Sequence, residues 1–141
     1  MIKITPEFYT PELLNSNPDD IYVFGDNVGR VGKAGQAAIR DESNAFGVAT
    51  KYYPSSSESS YFTDENVMGH HVIINDIKKI YQLYSAGKTI VFPLNGLGTG
   101  LSQLPEKAPS LFKLLNAMLV EFFGITHGTE AEGYKLKRVV K

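Results

Sequence analysis

The sequence predicts an α/β domain, a sheet covered by helices on both faces, and three observations predict it. Ile21-Tyr22-Val23-Phe24 and Thr89-Ile90-Val91-Phe92 are short apolar runs without the alternation of a half-exposed strand. That is the pattern of strands buried on both faces. Segments with helical periodicity follow these runs, and alternation of strand and helix builds layered α/β folds. Each run also ends in a glycine-rich stretch, and such sheets take their ligands beyond the carboxyl ends of the strands.

The elements follow in order. Ile2-Lys3-Ile4 reads as a strand. Thr10 before Pro11-Glu12 is an N-cap with proline at the first helical position, starting a brief helix through Leu14. Asn15 to Asp20 is a loop, and Ile21 to Phe24 is the first buried strand. After the glycine-rich stretch to Gly35, Gln36 to Glu42 has helix-forming composition, and Ala45 to Thr50 reads as a strand. Pro54 to Ser60 is a serine-rich loop.

A long helix follows, with Thr63 as its N-cap and Asp64 and Glu65 at the positive end of its dipole. Val67, Ile73, Ile74, Ile77, Ile80, Tyr81 and Tyr84 recur at helical spacing, with the tyrosines read as core, and Gly87 closes the helix. Thr89 to Phe92 is the second buried strand. Pro109 to Phe123 is the last amphipathic helix, with Leu111, Leu114, Leu115, Met118, Leu119 and Phe122 on one face. Residues 1–125 form a single domain. Residues 126–141 are either a final strand or a loose tail carrying Lys135, Lys137, Arg138 and Lys141.

Composition narrows the function classes. The chain has 141 residues, with 14 Lys+Arg against 15 Asp+Glu, a length suited to one domain. A near-neutral balance lacks the basic excess of a nucleic-acid binder. With no cysteine, disulfides, thiolate metal sites and thiol nucleophiles are excluded, in keeping with a reducing cytoplasm. No apolar run reaches the ~18 residues of a membrane span, and Met1 to Thr10 has no leader pattern. The expectation is a cytoplasmic domain without membrane partners. A homo-oligomer stays open.

Two loops carry the chemistry. The first, Gly25-Asp26-Asn27-Val28-Gly29-Arg30-Val31-Gly32-Lys33-Ala34-Gly35-Gln36, lets backbone N–H groups approach a phosphate. Asp26 and Asn27 put short polar groups at a strand end. The loop lacks the Gly-Lys-Ser/Thr ending of a P-loop and the glycine spacing of the dinucleotide fingerprint. The second loop, Asn95-Gly96-Leu97-Gly98-Thr99-Gly100, offers successive bare amides and the Thr99 hydroxyl to a pyrophosphate. Two such loops, each after a buried strand, point to a phosphate-bearing small molecule. His70-His71 has no third ligand at metal-binding spacing, and Tyr61-Phe62 offers a stacking face for a base or, the commoner use, an aromatic anchor for the serine-rich loop. No cofactor and no metal are expected.

At these loops the chain resembles a diverged macrodomain, the α/β module that binds ADP-ribose. Arg30-Val31-Gly32-Lys33-Ala34-Gly35-Gln36-Ala37 is similar to the short-macrodomain turn that opens a helix. Phe92-Pro93-Leu94-Asn95-Gly96-Leu97-Gly98-Thr99-Gly100-Leu101 is similar to that family's diphosphate loop. From Ile21-Tyr22-Val23-Phe24-Gly25-Asp26-Asn27 to Leu104-Pro105-Glu106-Lys107 the chain also resembles an early-protein family of T4-like bacteriophages.

The macrodomain resemblance implies three α/β/α layers around a mixed, mostly parallel sheet, with ADP-ribose in a cleft at its crest. It implies Asp26 at the adenine, Asn27 near the water or distal ribose, and Gly96 to Gly100 at the diphosphate. Lys33 matches a lysine that forms a Schiff base with the opened ribose in one hydrolytic subgroup. That subgroup also carries an Asp in its second loop, whereas Asn95 and Thr99 stand here and no Asp lies between Ile90 and Ser102. The resemblance therefore implies binding of an NAD-derived nucleotide, a counter-defence role in an infected host's cytoplasm if the chain is a phage protein, ahead of hydrolysis. An ADP-ribosyl hydrolase or ADP-ribose phosphatase, with Asn27, Lys33 and Asn95 as its catalytic groups, is the alternative.

Overall fold

The structure, a computed structural model, describes residues 1–139; Lys141 of the predicted basic tail lies outside them. Strands β1 (Ile2–Thr5), β2 (Asp20–Asp26), β3 (Ala45–Ala49) and β4 (Thr89–Pro93) form one sheet in the order β1-β4-β2-β3. Every pairing in it is parallel, with Ile21 opposite Ile90 and Val23 opposite Phe46. The helices are α1 (Pro11–Ser16), α2 (Val67–Ser85), α3 (Leu104–Lys107) and α4 (Pro109–Phe123).

The apolar runs are continuous because alternate residues enter different cores. Ile21, Val23, Ile90 and Phe92 meet Ile73, Ile77 and Ile80 of α2 and Leu111, Leu115 and Leu119 of α4. Tyr22, Phe24 and Val91 point the other way, onto Tyr9, Leu14 of α1 and Ile39. Both faces are thus covered, the layered α/β architecture expected for a parallel sheet. No helix among the described residues is long and apolar enough to cross a membrane.

Several local expectations hold, and others are corrected. Thr10 is extended and its Oγ1 accepts the Leu13 N–H at 3.1 Å, with Pro11 opening the helix. The last long helix spans Pro109–Phe123 and ends at Gly124 with φ +68°. The helix expected from Gln36 to Glu42 is only a 3₁₀ turn over Gly35–Ile39. Side chains at its two ends are tied to loop backbone instead: Gln36 to Gly25 and Gly96, and Arg40 to the carbonyls of Val31 and Gly32.

Asn66, not Thr63, stands at the start of α2, and its Oδ1 accepts from the Thr63 N–H and hydroxyl. Asp64 serves a different helix, since its Oδ1 accepts the N–H groups of Ser110 (3.0 Å) and Leu111 (3.2 Å) in the first turn of α4. Tyr81 is not core: it is 38% exposed and leans on Phe122 at the α2–α4 rim.

The C-terminal segment is an ordered antiparallel hairpin of β5 (Ile125–His127) and β6 (Leu136–Arg138). Ile125 and Leu136 enter the main core, and the Leu136 N–H donates to the Leu94 carbonyl at 2.8 Å. Of the two readings of residues 126–141, the strand is therefore the one found through residue 138.

Candidate functional site

The parallel strands deliver both glycine-rich loops to one end of the sheet, where they face each other across a cleft of about 240 Å³. Gly25, Gly35 and Gln36 line one side, and Asn95, Gly96, Gly98, Thr99 and Gly100 the other. A second chamber of about 160 Å³ adjoins it through Gly25, Ala34, Leu101 and Ser102, and adds Asp26, Asn27, Gly32, Lys33, Lys51 and Pro54 to the lining. On the opposite flank a third chamber, about 230 Å³, shares Gly35, Gln36 and Asn95 and runs along Thr5 to Tyr9. Apart from Leu97, every residue that the sequence assigns to ligand binding lines the first two of these adjoining chambers.

Gln36 joins the loops. Its Oε1 accepts the Gly25 N–H at 2.7 Å and its Nε2 donates to the Gly96 carbonyl at 3.0 Å. Thr50, at the end of β3, adds a second tie through its hydroxyl to Ser102 Oγ at 2.6 Å.

The first loop is held by a buried charge network. Asp26 accepts from Arg40 at 2.7 Å, from Arg30 at 3.2 Å and from the Asn27 N–H at 2.8 Å. Arg30 also donates to both oxygens of the buried Asp76, at 2.8 and 3.0 Å, from a left-handed backbone with φ +53°. Asp26 presses against Gly47 of β3, where a Cβ would collide with its carboxylate. The oxygens expected to meet an adenine thus anchor the loop. Asn27 is likewise used internally: its Nδ2 donates to the Val31 carbonyl at 2.8 Å and its Oδ1 accepts the Val31 N–H at 3.4 Å. Lys33 is exposed and ion-paired with Asp41.

The second loop is held from the C-terminal hairpin. His127 Nε2 accepts the Leu97 N–H at 3.0 Å, and its Nδ1 lies 2.7 Å from Asn116 Oδ1. Because Nε2 accepts, the ring is neutral with its proton on Nδ1, donated to Asn116. Burial pushes the His127 pKa down to about 4, since desolvation disfavours the charged ring. Leu97 is therefore not a ligand contact: its side chain is fully buried and its amide is taken. The Thr99 hydroxyl donates to the Asn95 carbonyl at 2.8 Å, closing the loop on itself and keeping its lone pairs for an incoming donor.

What the anchoring leaves over decides the chemistry. Gly96 N–H donates to Pro93, but the N–H groups of Gly98, Thr99, Gly100, Leu101 and Ser102 have no partner among the described residues. Across the cleft the same holds for Gly32 to Gln36. Gly98 is buried with φ +77°, and its nitrogen lies 3.9 Å from the position of a Cβ on Gly25. Consecutive free amides facing a concavity bind oxyanions. No group of three or more His, Cys, Asp or Glu side chains placed to hold a metal ion is found among the described residues. His70 Nδ1 sits 3.1 Å from the Asn66 carbonyl of its own helix.

Other contributors lie outside the two motifs, Thr50 and Pro54 among them. Phe8, 91% exposed, borders the third chamber; nothing in the sequence tells it apart from its neighbour Tyr9, which is buried. Lys51 and Ser102 come from β3's end and from beyond the glycines, and His127 from the segment read as strand or tail. Tyr61 and Phe62 are buried anchors, as expected.

No curated protein and no solved structure matches the chain. The model of a family of unknown function, DUF7831, matches residues 4–118, a span that holds the whole four-stranded sheet from Ile4 onward and both glycine-rich loops but not the His127 hairpin. The chain belongs to the DUF7831 family.

Proposed function

We propose that this protein binds an ADP-ribose-type, NAD-derived nucleotide and holds it without turning it over. The carrying observation is the pair of amide runs on the walls of one cleft, Ala34 to Gln36 and Gly98 to Ser102, beyond the carboxyl ends of β2 and β4, without partners among the described residues. In this reading the diphosphate lies between them, where fixed N–H dipoles need no reorganisation to receive charge. The base lies in the chamber beside Phe8, whose exposed ring offers a stacking face, with Glu7 and Thr5 as polar groups at its edge. Asp26 is replaced in that role because its carboxylate is engaged by Arg30 and Arg40. Retention without hydrolysis is supported by the occupation of Asn27 and Lys33 in internal contacts. If the chain is a phage protein, the consequence is sequestration of a host signalling nucleotide.

The test follows thermal stability and ligand mass together with ADP-ribose and related NAD-derived nucleotides. A ligand at about 100 times its dissociation constant adds roughly 2.7 kcal/mol of stability, and the mass is recovered unchanged. A changed mass makes the protein a hydrolase, and no shift with any nucleotide overturns the reading. Gly100→Val is the matched variant. Open space surrounds a Cβ there and its φ is not left-handed, so the fold survives while the added methyls crowd the diphosphate. The thermal shift is then lost. At Gly98, by contrast, a Cβ would meet Thr50 and Leu104 at 3.0–3.1 Å, and any loss there mixes folding with binding.

A further inference from the structure

Lys51 is 6% exposed, and among the described residues no carboxylate pairs with its ammonium. Its Nζ donates to the Ser55 carbonyl at 2.9 Å and sits 4.3 Å from the centre of the Tyr61 ring. Lys107 lies over the same ring at 4.9 Å and shows the contrast, because it reaches Glu58 at 3.2 Å. A carbonyl and a π face solvate a cation but do not neutralise it, and an uncompensated buried charge is costly. Burial accordingly holds the Lys51 pKa below the ordinary lysine value. Such a cost persists where the charge serves a ligand.

The location says which ligand group. Lys51 lines the second chamber together with Asn27, Pro54 and Ser102, one step beyond the amide-lined cleft. Lys33, on the same lining, is already paired with Asp41 at the surface. The other charged group there, Asp26, is neutralised by two guanidinium groups. Of the charged residues on this lining, Lys51 is the one without a countercharge among the described residues, and the Ser102 hydroxyl stands on the same wall.

We propose that this chamber is an oxyanion subsite, with the Lys51 ammonium supplying the counter-charge for a phosphoryl group of the ligand beyond its diphosphate. The assignment deepens the nucleotide reading and rests on it only for what fills the neighbouring cleft.

The experiment titrates inorganic phosphate, at constant ionic strength, into the free protein and into protein saturated with ADP. It follows the Lys51 ammonium by nitrogen-15 NMR, the signal being identified by its loss in Lys51→Met. The expected result is a saturable shift in both samples, with phosphate raising the Lys51 pKa toward its ordinary value. Phosphate affinity falls about 30-fold in Lys51→Met, the loss that follows removal of one member of a buried charge pair, and Lys51→Arg retains it. Lys51→Met keeps or raises the thermal midpoint in phosphate-free buffer, because an unpaired buried charge has been removed.

A Lys51 signal that ignores phosphate while Lys51→Met merely lowers the midpoint overturns the subsite and leaves Lys51 a clamp on the serine-rich loop. Phosphate that ADP displaces overturns it too, since the amide loops are then the only anion site. If ADP fails to bind while phosphate still moves Lys51, the subsite stands and the nucleotide reading falls.

Discussion

His127 shows how one side chain sets the state of a loop made largely of glycine. Its neutral ring accepts the Leu97 N–H while its other nitrogen donates to Asn116, so protonation removes the acceptor that the Leu97 amide has among the described residues. The folded pKa, about 4, lies below the ordinary histidine value of 6.5. The unfolded chain therefore binds the extra proton first as pH falls. The contribution of His127 to stability is complete above about pH 6.5 and is lost progressively toward pH 4, on the order of 3 kcal/mol in all. Denaturant midpoints measured from pH 4 to 7 should rise with pH in the wild type, and the rise should be shallower in His127→Gln. Equal slopes in the two proteins would mean that the ring is not held neutral by the fold. The same residue separates what is readable in a sequence from what is not: a single histidine after Ile125-Thr126 carries no spacing that marks it as a partner of Leu97, thirty positions earlier.

Among the elements, the strands and the long helices follow from local pattern, whereas their caps depend on neighbours. The apolar runs at Ile21 and Thr89 became strands because each residue has a core to enter on its own side of the sheet. The last helix could be bounded from Pro109 and Gly124 because proline and a left-handed glycine act within one turn of chain. Asp64 could not be assigned that way. Placed three residues before Val67, it reads as a charge for the positive end of the α2 dipole, but the fold brings it against the first turn of α4, whose N-cap residue Ala108 has no polar side chain to offer. Asp64→Ala should cost about 1 kcal/mol, the usual loss for a helix cap. Hydrogen exchange should localise the effect to Ser110 and Leu111 rather than to the start of α2. Faster exchange in α2 alone would return Asp64 to its own helix. The 3₁₀ turn at Gly35–Ile39 has a similar origin, because Gln36 and Arg40 are drawn into long-range bonds that no local propensity describes.

For the molecule as a whole, the hairpin beyond the family-matched span is part of the core and of the site. Leu136 is 2% exposed and its N–H bonds to Leu94 just before the second loop. Leu136→Ala should therefore cost about 2–5 kcal/mol, read as a lower denaturant midpoint, whereas a loose tail would show no change. The amino-acid sequence by itself determined the α/β class, the two buried strands, and the presence of two glycine-rich loops at their carboxyl ends, since each depends on residues adjacent in the chain. That the loops share one end of the molecule follows from the parallel pairing of β2 with β4, which the structure shows. Only the tertiary structure decided which polar groups remain free. Asp26, Asn27 and Lys33 found partners in Arg30, Arg40, Val31 and Asp41, whereas Lys51 was buried with no carboxylate partner among the described residues and Phe8 was left in solvent. The physical reason is that a hydrogen-bond donor or a charge becomes a binding group by lacking a partner, and partners in a folded chain come mostly from residues distant in sequence.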